Sequence, residues 1–182
     1  MVQMSPLPPE QALQIRGASP QDAAALATVM ATRGGTPSDS APAAQRLLEH
    51  APVLLVAELT CSDGSRVVGW SGATVTSLRP QEAGQWLTAG LTVVPELRRS
   101  GVGRCLLQAV VDAVEKLVDG PLHSVVNARN APSLALHRSL GFEVVDTGPC
   151  FAGIEFDGGA GVLLSYRRPG APRPRLQGGP LL

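Results

Sequence analysis

Hydrophobic and polar positions alternate with a period of two in several short segments, the first of which is "ALQIRG" at residues 12–17. Leu13 and Ile15 fall on one face there, so the segment predicts a β-strand. Later segments share this alternation or a short apolar run: 53–59, 66–75, 86–94, 122–126, 142–145 and 161–167. Asp63-Gly64 lies between the second and third of these strands and is a hairpin turn signal, which predicts that the two strands pair.

A longer period dominates residues 101–118, where apolar side chains recur every three or four positions. This spacing predicts a helix with one apolar face, formed by Val102, Cys105, Leu106, Ala109, Val110, Ala113, Val114 and Leu117. Three more helices are predicted at residues 19–34, 40–50 and 131–140. Ser19 and Pro20 suit the start of the first of these, and Gly141 suits the C-cap of the last.

The predicted elements follow the order β-α-α-β-β-β-α-β-α-β-β. An antiparallel run followed by strand–helix–strand units predicts one α/β (α+β) domain with a mixed sheet flanked by helices. The glycine-rich segment 146–161 before the last strand predicts a mobile loop. We expect residues 1–12 to form a flexible leader, 13–168 the single domain, and 169–182 a disordered tail rich in Pro, Gly and Arg.

Composition narrows the class of protein. Hydrophobic residues make up 44% of the chain and the formal net charge is zero, which indicates a soluble globular protein. The last 16 residues hold four arginines and no acid, so the rest of the chain has four more acidic than basic side chains. An acidic body argues against nucleic-acid binding, and no apolar run reaches the length of a membrane span.

The three cysteines, Cys61, Cys105 and Cys150, have neither the spacing of metal ligands nor that of a disulfide framework. Their odd number, with Cys105 inside a predicted helix, predicts reduced thiols, no metal site and a cytoplasmic protein. The first residues lack the apolar core of a signal peptide, which favours the same location.

A glycine-rich turn with arginines precedes the longest predicted helix, in "PELRRSGVGR" at residues 95–104. A helix start offers unpaired backbone N–H groups and the positive end of the helix dipole, and glycine lets a ligand approach them. The turn therefore predicts a phosphate site, although an ordinary solvated loop could have the same sequence features. It lacks the Gly-Lys-Ser/Thr of a P-loop, and Leu106 replaces the third glycine of a dinucleotide fingerprint.

Two segments together carry a resemblance to a known family. "LTVVPELRRSGVGR" resembles motif A of the GCN5-related N-acetyltransferase (GNAT) superfamily, and "NAPSLALHRSLGF" at 130–142 resembles its motif B. The element order is also similar to that family over roughly residues 13–167. The resemblance implies the GNAT fold, with a mixed, mostly antiparallel sheet of about six to seven strands flanked by about four helices. It also implies acetyl-CoA as the acetyl donor.

The resemblance further implies which residues bind acetyl-CoA. Leu91, Thr92 and Val93 would offer backbone groups to the acetyl and pantetheine portion, and Asn130 would hydrogen-bond the pantetheine arm. Ser133 and His137 would flank the sulfur. The pyrophosphate would be bound by the motif A turn and its arginines: Arg98, Arg99, Ser100, Gly101, Val102, Gly103 and Arg104.

Direct acyl transfer needs a hydrogen-bond donor that stabilises the oxyanion and a proton for the leaving thiolate. By position in the family's strand, the backbone N–H of Val93 is expected to stabilise the oxyanion. His137 stands where the family usually has a tyrosine and resembles the "LH" variant of the phosphinothricin-type subgroup. It is expected to act as the proton donor or, in the alternative, to contribute packing only as a partly exposed helix residue.

The general base and the acceptor are less defined. Carboxylates at Glu58, Glu82, Glu155 and Asp157 are candidate bases by residue type, and a water chain could replace them. Phe151, Ile154 and Phe156 could line an acceptor pocket or simply pack their loop. The expected function is N-acetylation of a primary amine on a small molecule or a protein by a possible homodimer. The alternatives are a non-catalytic acyl-CoA-binding sensor and a nucleotide-phosphate binder.

Overall fold

A computed structural model describes residues 12–156, 158 and 160–170, which form four α-helices and nine β-strands. The helices are Ala23–Ala31 (α1), Pro37–His50 (α2), Val102–Leu117 (α3) and Ala131–Ser139 (α4). The strands are Ala12–Gly17 (β1), Val53–Cys61 (β2), Gly64–Ser77 (β3), Gly84–Val93 (β4), Leu122–Asn127 (β5), Glu143–Gly148 (β6), Cys150–Phe151 (β7), Ile154–Glu155 (β8) and Gly161–Tyr166 (β9). The predicted leader, apart from Ala12, and the tail beyond Gly170 lie outside the described residues.

Seven of the strands form one mixed sheet in the order β1-β2-β3-β4-β5-β9-β6. All neighbours are antiparallel except β4 and β5, which run parallel and are connected by α3. The fold class predicted from the sequence is therefore confirmed. The apolar face of α3 is buried against the sheet through Leu106, Leu107 and Val110, each with no exposed surface. This packing fixes the start of α3 beside the end of β4.

Strands β4 and β5 pair at only two positions, near the start of each strand. Trp86 pairs with Leu122 and Leu87 with His123, and the backbone ladder stops there although both strands continue. The two strands therefore diverge and leave a V-shaped gap in the sheet, whose vertex lies just beyond Leu87 and His123. Two parallel strands that diverge in this way expose backbone N–H and C=O groups along their facing edges, because those groups have no neighbouring strand to pair with.

Two segments differ from the predictions. Helix α2 begins at Pro37 rather than near residue 40, because Thr36 and Asp39 form a capping box: Thr36 Oγ1 accepts from Asp39 N, and an Asp39 carboxylate oxygen accepts from Thr36 N. The predicted mobile loop contains the β7–β8 hairpin, which is held to the rest of the domain by Ala152 N donating to Leu78 O at 2.8 Å. Among the described residues, none of the helices combines the length and apolar character needed to cross a membrane.

Candidate active site

The backbone of Val93 points into the V-shaped gap. Val94 N donates to Val68 O at 2.9 Å, and bonded and non-bonded pairs alternate along an antiparallel ladder. The Val93–Gly69 pair is therefore a non-bonded pair, so the N–H and C=O of Val93 face away from β3 and towards the side where β5 has diverged. This is the N–H that the sequence predicted as the oxyanion donor.

The first turn of α3 lies at the mouth of the same gap. Gly101 is the N-cap residue and has φ +95°, a left-handed conformation that glycine adopts without strain. The N–H of Cys105 donates to Gly101 O, but within the described part of the chain none of the N–H groups of residues 101–104 donates to a protein acceptor. Four free donors and the positive end of a 16-residue helix make this turn suitable for an anion.

Three elements converge around Gly103 at this turn. A methyl group built on Gly103 would lie 3.6 Å from Leu136 of α4, 3.8 Å from Val93 and 3.9 Å from Leu91 of β4. The start of α3, the middle of α4 and the open edge of β4 therefore meet around one point. Both motifs noted in the sequence contribute to this one site.

The three arginines of the turn have different surroundings. Arg98 is used internally: its Nε donates to Val93 O at 3.1 Å and its guanidinium reaches Thr32 O at 3.4 Å, which ties β4 to the end of α1. Arg104 donates to Ser139 Oγ at 2.7 Å and so links α3 to α4. Arg99 is exposed, has φ +66° and makes no hydrogen bond to the described residues, which leaves its charge available to a ligand.

Asn130 and Ser133 lie at the start of α4. The Asn130 side-chain oxygen accepts from Ser133 N at 3.2 Å, so it caps the helix. Its amide nitrogen has no partner among the described residues and is exposed, which leaves two donor hydrogens directed to solvent. The asparagine of the second motif therefore has a structural role and a free donor at once.

The ring of His137 is buried, with only 3% of its surface exposed, and stacks edge-on against Phe142. Nδ1 lies 2.8 Å from Ser133 O, and a carbonyl oxygen can only accept, so Nδ1 carries the proton of the neutral ring. Nε2 lies 2.8 Å from Ser124 Oγ, which must then be the donor. The side chain is buried and not partly exposed as the packing alternative assumed, because α4 turns this residue inwards onto β5; the choice between proton transfer and packing stays a prediction.

The hydrogen bonds continue from Ser124 to the vertex of the gap. Ser124 Oγ lies 2.8 Å from Thr88 Oγ1, and since the Ser124 proton is directed at His137, Thr88 is the donor of that bond. Thr88 and Ser124 are the residues that follow the last backbone-paired residues of β4 and β5. Sequence reasoning missed both; the available signal was a serine between Leu122 and Val126 on the apolar face of β5.

Burial lowers the pKa of His137 below its ordinary value of 6.5, and the bond to Ser133 only partly opposes this effect. The pKa of His123 is also lowered, first by burial and then by the charge of Arg167, although this ring lies on the opposite face of β5 from Ser124. Both imidazoles are therefore predominantly neutral at pH 7. At that pH, Nε2 of His137 is an acceptor.

Two of the four carboxylates proposed as bases are engaged in ion pairs. Glu58 pairs with Arg16 at 2.6 Å, in a cavity of about 620 Å³ between α1 and the end of β4 whose other charges are also paired. Glu82 pairs with Arg79, and Glu155 is exposed on the β7–β8 hairpin. Asp157 lies outside the described residues. Within the described part of the chain, no group of three or more His, Cys, Asp or Glu side chains is placed to hold a metal ion.

Comparison with known proteins identifies acetyltransferases as relatives of this chain. The model of the acetyltransferase (GNAT) family matches residues 25–142. A [ribosomal protein bS18]-alanine N-acetyltransferase of Escherichia coli strain K12 is 42% identical over 52 residues, which are 29% of this chain and 35% of that protein. The chain thus matches about a third of the length of this curated relative.

Solved structures match over much more of the chain. The ribosomal-protein-alanine N-acetyltransferase of Brucella melitensis superposes with a TM-score of 0.64 and 27% identity, covering 85% of this chain and 99% of that one. A phosphinothricin acetyltransferase of Sinorhizobium meliloti, solved in complex with AcCoA, gives a TM-score of 0.64 at 22% identity over 85% and 87% of the two chains. The fold extends beyond the segment matched by the family model.

Proposed function

The chain belongs to the GNAT family of acetyltransferases, and on that premise we propose that it transfers an acetyl group from acetyl-CoA to a primary amine. The observation that supports this proposal best is the V-shaped gap between β4 and β5, with a free backbone N–H on its edge and an anion-binding turn at its mouth. A cytoplasmic location and a homodimer stay predictions from the sequence.

The residues at the gap fit the chemical groups of acetyl-CoA, the acetyl donor. Pyrophosphate needs several hydrogen-bond donors and positive charge, which the unpaired N–H groups of residues 101–104 and the side chain of Arg99 supply. The pantetheine arm carries amides, and the free amide nitrogen of Asn130 and the open edge of β4 from Leu91 to Val93 offer partners for them. The side chain of Arg98 would act indirectly, by holding the end of β4 in place.

Acetyl-CoA supplies a thioester carbonyl, which an uncharged amine attacks directly. A backbone N–H on the open edge of β4 would stabilise the oxyanion that develops. By the β3–β4 register the N–H groups of Leu91 and Val93 both face the gap, and the N–H of Leu91 is the nearer of the two to Thr88 and Ser124 at its vertex. A proton must leave the amine nitrogen and another must reach the departing sulfur. His137 is connected to the vertex of the gap by hydrogen bonds through Ser124 and Thr88, and we propose that it serves this proton transfer.

The acceptor is proposed from the relatives. The Escherichia coli and Brucella melitensis proteins are named as N-acetyltransferases of a ribosomal-protein alanine, so an N-terminal α-amino group is the first acceptor to test. Such an amine makes a smaller demand on a general base, since the pKa of an α-amino group is about 8, so that about a tenth of it is already uncharged at pH 7, far more than of a lysine side chain. The β7–β8 hairpin, with Phe151 buried and Ile154 exposed, would border the acceptor.

The test is acetyl-CoA turnover on a panel of amines that includes a peptide beginning with alanine, a lysine side-chain peptide and small amines. Release of free thiol gives the rate, and mass spectrometry identifies the acetylated product. We expect turnover on at least one N-terminal amine. Saturable binding of acetyl-CoA without turnover on any amine would favour the non-catalytic sensor instead, and protection against heat by ATP but not by acetyl-CoA would favour a nucleotide-phosphate binder.

A further inference from the structure

Three side chains form a continuous hydrogen-bonded chain that begins at the vertex of the gap and ends in the protein interior. Thr88 Oγ1 and Ser124 Oγ are 2.8 Å apart, and Ser124 Oγ is 2.8 Å from Nε2 of His137. Thr88 is half-buried, whereas Ser124 and His137 are 2% and 3% exposed. The chain therefore has one end near the gap and one end that solvent does not reach.

The direction of the hydrogen bonds is fixed by Ser133 O. Because this carbonyl oxygen takes the Nδ1 proton of the neutral imidazole, Nε2 must accept from Ser124, and Ser124 must accept from Thr88. Every proton in the chain thus points towards His137. The lone pairs of Thr88 Oγ1 are left for the gap, so in its resting state the chain is set to receive a proton there.

We propose that Thr88 and Ser124 relay protons between the reacting groups and His137, which acts as a temporary proton store. This inference rests on the proposed acetyl transfer. As the C–N bond forms, a proton of the amine nitrogen moves to Thr88 Oγ1, the Thr88 proton moves to Ser124 Oγ, and the Ser124 proton moves to Nε2. As the C–S bond breaks, Nε2 returns a proton to Ser124 Oγ, Ser124 passes one to Thr88 Oγ1, and Thr88 gives one to the thiolate. No proton is gained or lost from solvent.

A relay explains how a histidine without surface exposure can take part in the reaction. Its ring cannot contact either reacting atom directly while Ser124 occupies Nε2, so the two hydroxyls are the only hydrogen-bonded route to the gap among the described residues. Burial makes the imidazolium unstable, which favours return of the proton to the thiolate over its retention. The hydrogen-bond partners of the ring, Ser124 and Ser133, and its aromatic neighbour Phe142 are all uncharged.

The kinetic test compares Ser124→Ala, Thr88→Val and Thr88→Ser with the unmodified protein, using the amine of the panel that is turned over best. Ser124→Ala and Thr88→Val are expected to lower kcat about 100-fold, the usual scale for loss of proton transfer, with the Kd of acetyl-CoA within about twofold. Thr88→Ser keeps the hydroxyl and should retain most of kcat. Ser165→Ala removes a buried serine of β9 that takes no part in the Thr88–Ser124–His137 hydrogen bonds, and it is the matched control.

A proton inventory separates a relay from a packing effect, because a packing defect does not change how many protons move in the rate-limiting step. The plot of kcat against the D₂O fraction should be curved for the unmodified protein and become linear or flat in Ser124→Ala. Unchanged kcat and an unchanged inventory in Ser124→Ala would overturn the relay while leaving the proposed acetyl transfer intact.

A second measurement does not depend on turnover. Nitrogen-15 NMR of the histidines in the full chain should show His137 as the Nδ1–H tautomer at pH 7, assigned with His137→Phe, and its Nε2 shift should change in Ser124→Ala. An Nε2–H tautomer would overturn the relay, because the proton would then point from His137 to Ser124. If no amine is acetylated but this tautomer is found, the proposed function fails, whereas the inferred direction of the hydrogen bonds from Thr88 through Ser124 to His137 is supported.

Discussion

Ser124 of β5 and His137 of α4 meet at 2.8 Å, Oγ to Nε2, inside the domain and at the point where β4 and β5 begin to diverge. This bond fixes the helix of the second motif to the strand that borders the gap. It also occupies the one ring nitrogen that could otherwise donate or accept at the site. The chemistry assigned to His137 therefore depends on a residue that belongs to neither motif.

Replacement of His137 by phenylalanine should affect catalysis more than donor binding. The ring of Phe fills a similar volume beside Phe142 but leaves the Ser124 hydroxyl and one lone pair of Ser133 O without the imidazole. We expect kcat to fall about 100-fold and the Kd of acetyl-CoA to change little. The free energy of unfolding should drop by about 1–3 kcal/mol, since Ser124 loses a buried partner. His50→Phe, on an exposed histidine at the end of α2, is the matched control.

Equal loss of acetyl-CoA affinity and of kcat in His137→Phe would contradict a role in the chemical step. Donor binding is read by calorimetry and kcat by thiol release at saturating acetyl-CoA. Thermal unfolding of the same samples shows whether the variant is folded at the assay temperature, so a loss of kcat is not confused with a loss of protein.

The pH dependence of kcat should report the lowered pKa of His137. The relay receives a proton only while the imidazole is neutral, and burial keeps the ring neutral to a pH below its ordinary pKa of 6.5. We therefore expect this group to have little effect on kcat above pH 7, and kcat to fall at lower pH with an acid limb centred below pH 6.5. The acid limb should be absent from the residual activity of Ser124→Ala. An acid limb centred above pH 6.5 would show that a different group controls the rate.

The parts of the fold with strong periodicity could be predicted from the sequence. The 3.6-residue pattern of 101–118 gave α3 within one residue at each end, and the strand and turn signals gave the seven strands of the sheet. The two-residue strands β7 and β8 could not be predicted, because a strand of this length has no period to detect. The start of α2 was readable in principle from Thr36 and Asp39, whose capping box lies just before the apolar residues.

The site was only partly predictable. The motif residues between Leu91 and Arg104 and between Asn130 and His137 are local in the chain, and the structure brings them together at Gly103. The bond between Thr88 and Ser124 joins residues 36 positions apart, and it depends on where two strands stop pairing. Nothing in local spacing encodes that point. The internal use of Arg98 was hidden for the same reason, since its acceptors are backbone oxygens of two other elements.

Removal of the Arg99 charge should weaken donor binding without altering the fold. Arg99 is exposed beside the four free N–H groups of the α3 turn and has no protein partner among the described residues. Arg99→Gln is expected to raise the Kd of acetyl-CoA about tenfold, as for loss of one charge-assisted hydrogen bond to phosphate. Arg46→Gln removes an equally exposed charge from α2 and should leave the Kd unchanged.

The Arg99 effect should also shrink at high salt, because exposed charges are screened. Calorimetry at low and high ionic strength provides both comparisons. If Arg99→Gln and Arg46→Gln change the Kd equally, the effect comes from net charge, and the pyrophosphate is not bound at this turn.

Acid stability should depend on Asp22, which is 6% exposed and lies at the junction of β1 and α1. Bonds from Arg16 and from the backbone N–H of Ser19 lower the pKa of this carboxyl from 3.8 to about 2, although burial opposes them. Because the folded pKa is lower than the unfolded one, the stabilisation is complete above pH 3.8 and is lost as pH falls towards 2. Asp22→Asn should therefore lower the free energy of unfolding by about 2 kcal/mol at pH 7 and by progressively less below pH 4. Asp119→Asn, at an exposed position in the segment that follows α3, should change it by almost nothing at either pH. Urea unfolding of the three proteins at pH 7, 4 and 3 measures these differences, and a cost for Asp22→Asn that stays constant with pH would mean that packing, and not the charge of Asp22, provides the stability.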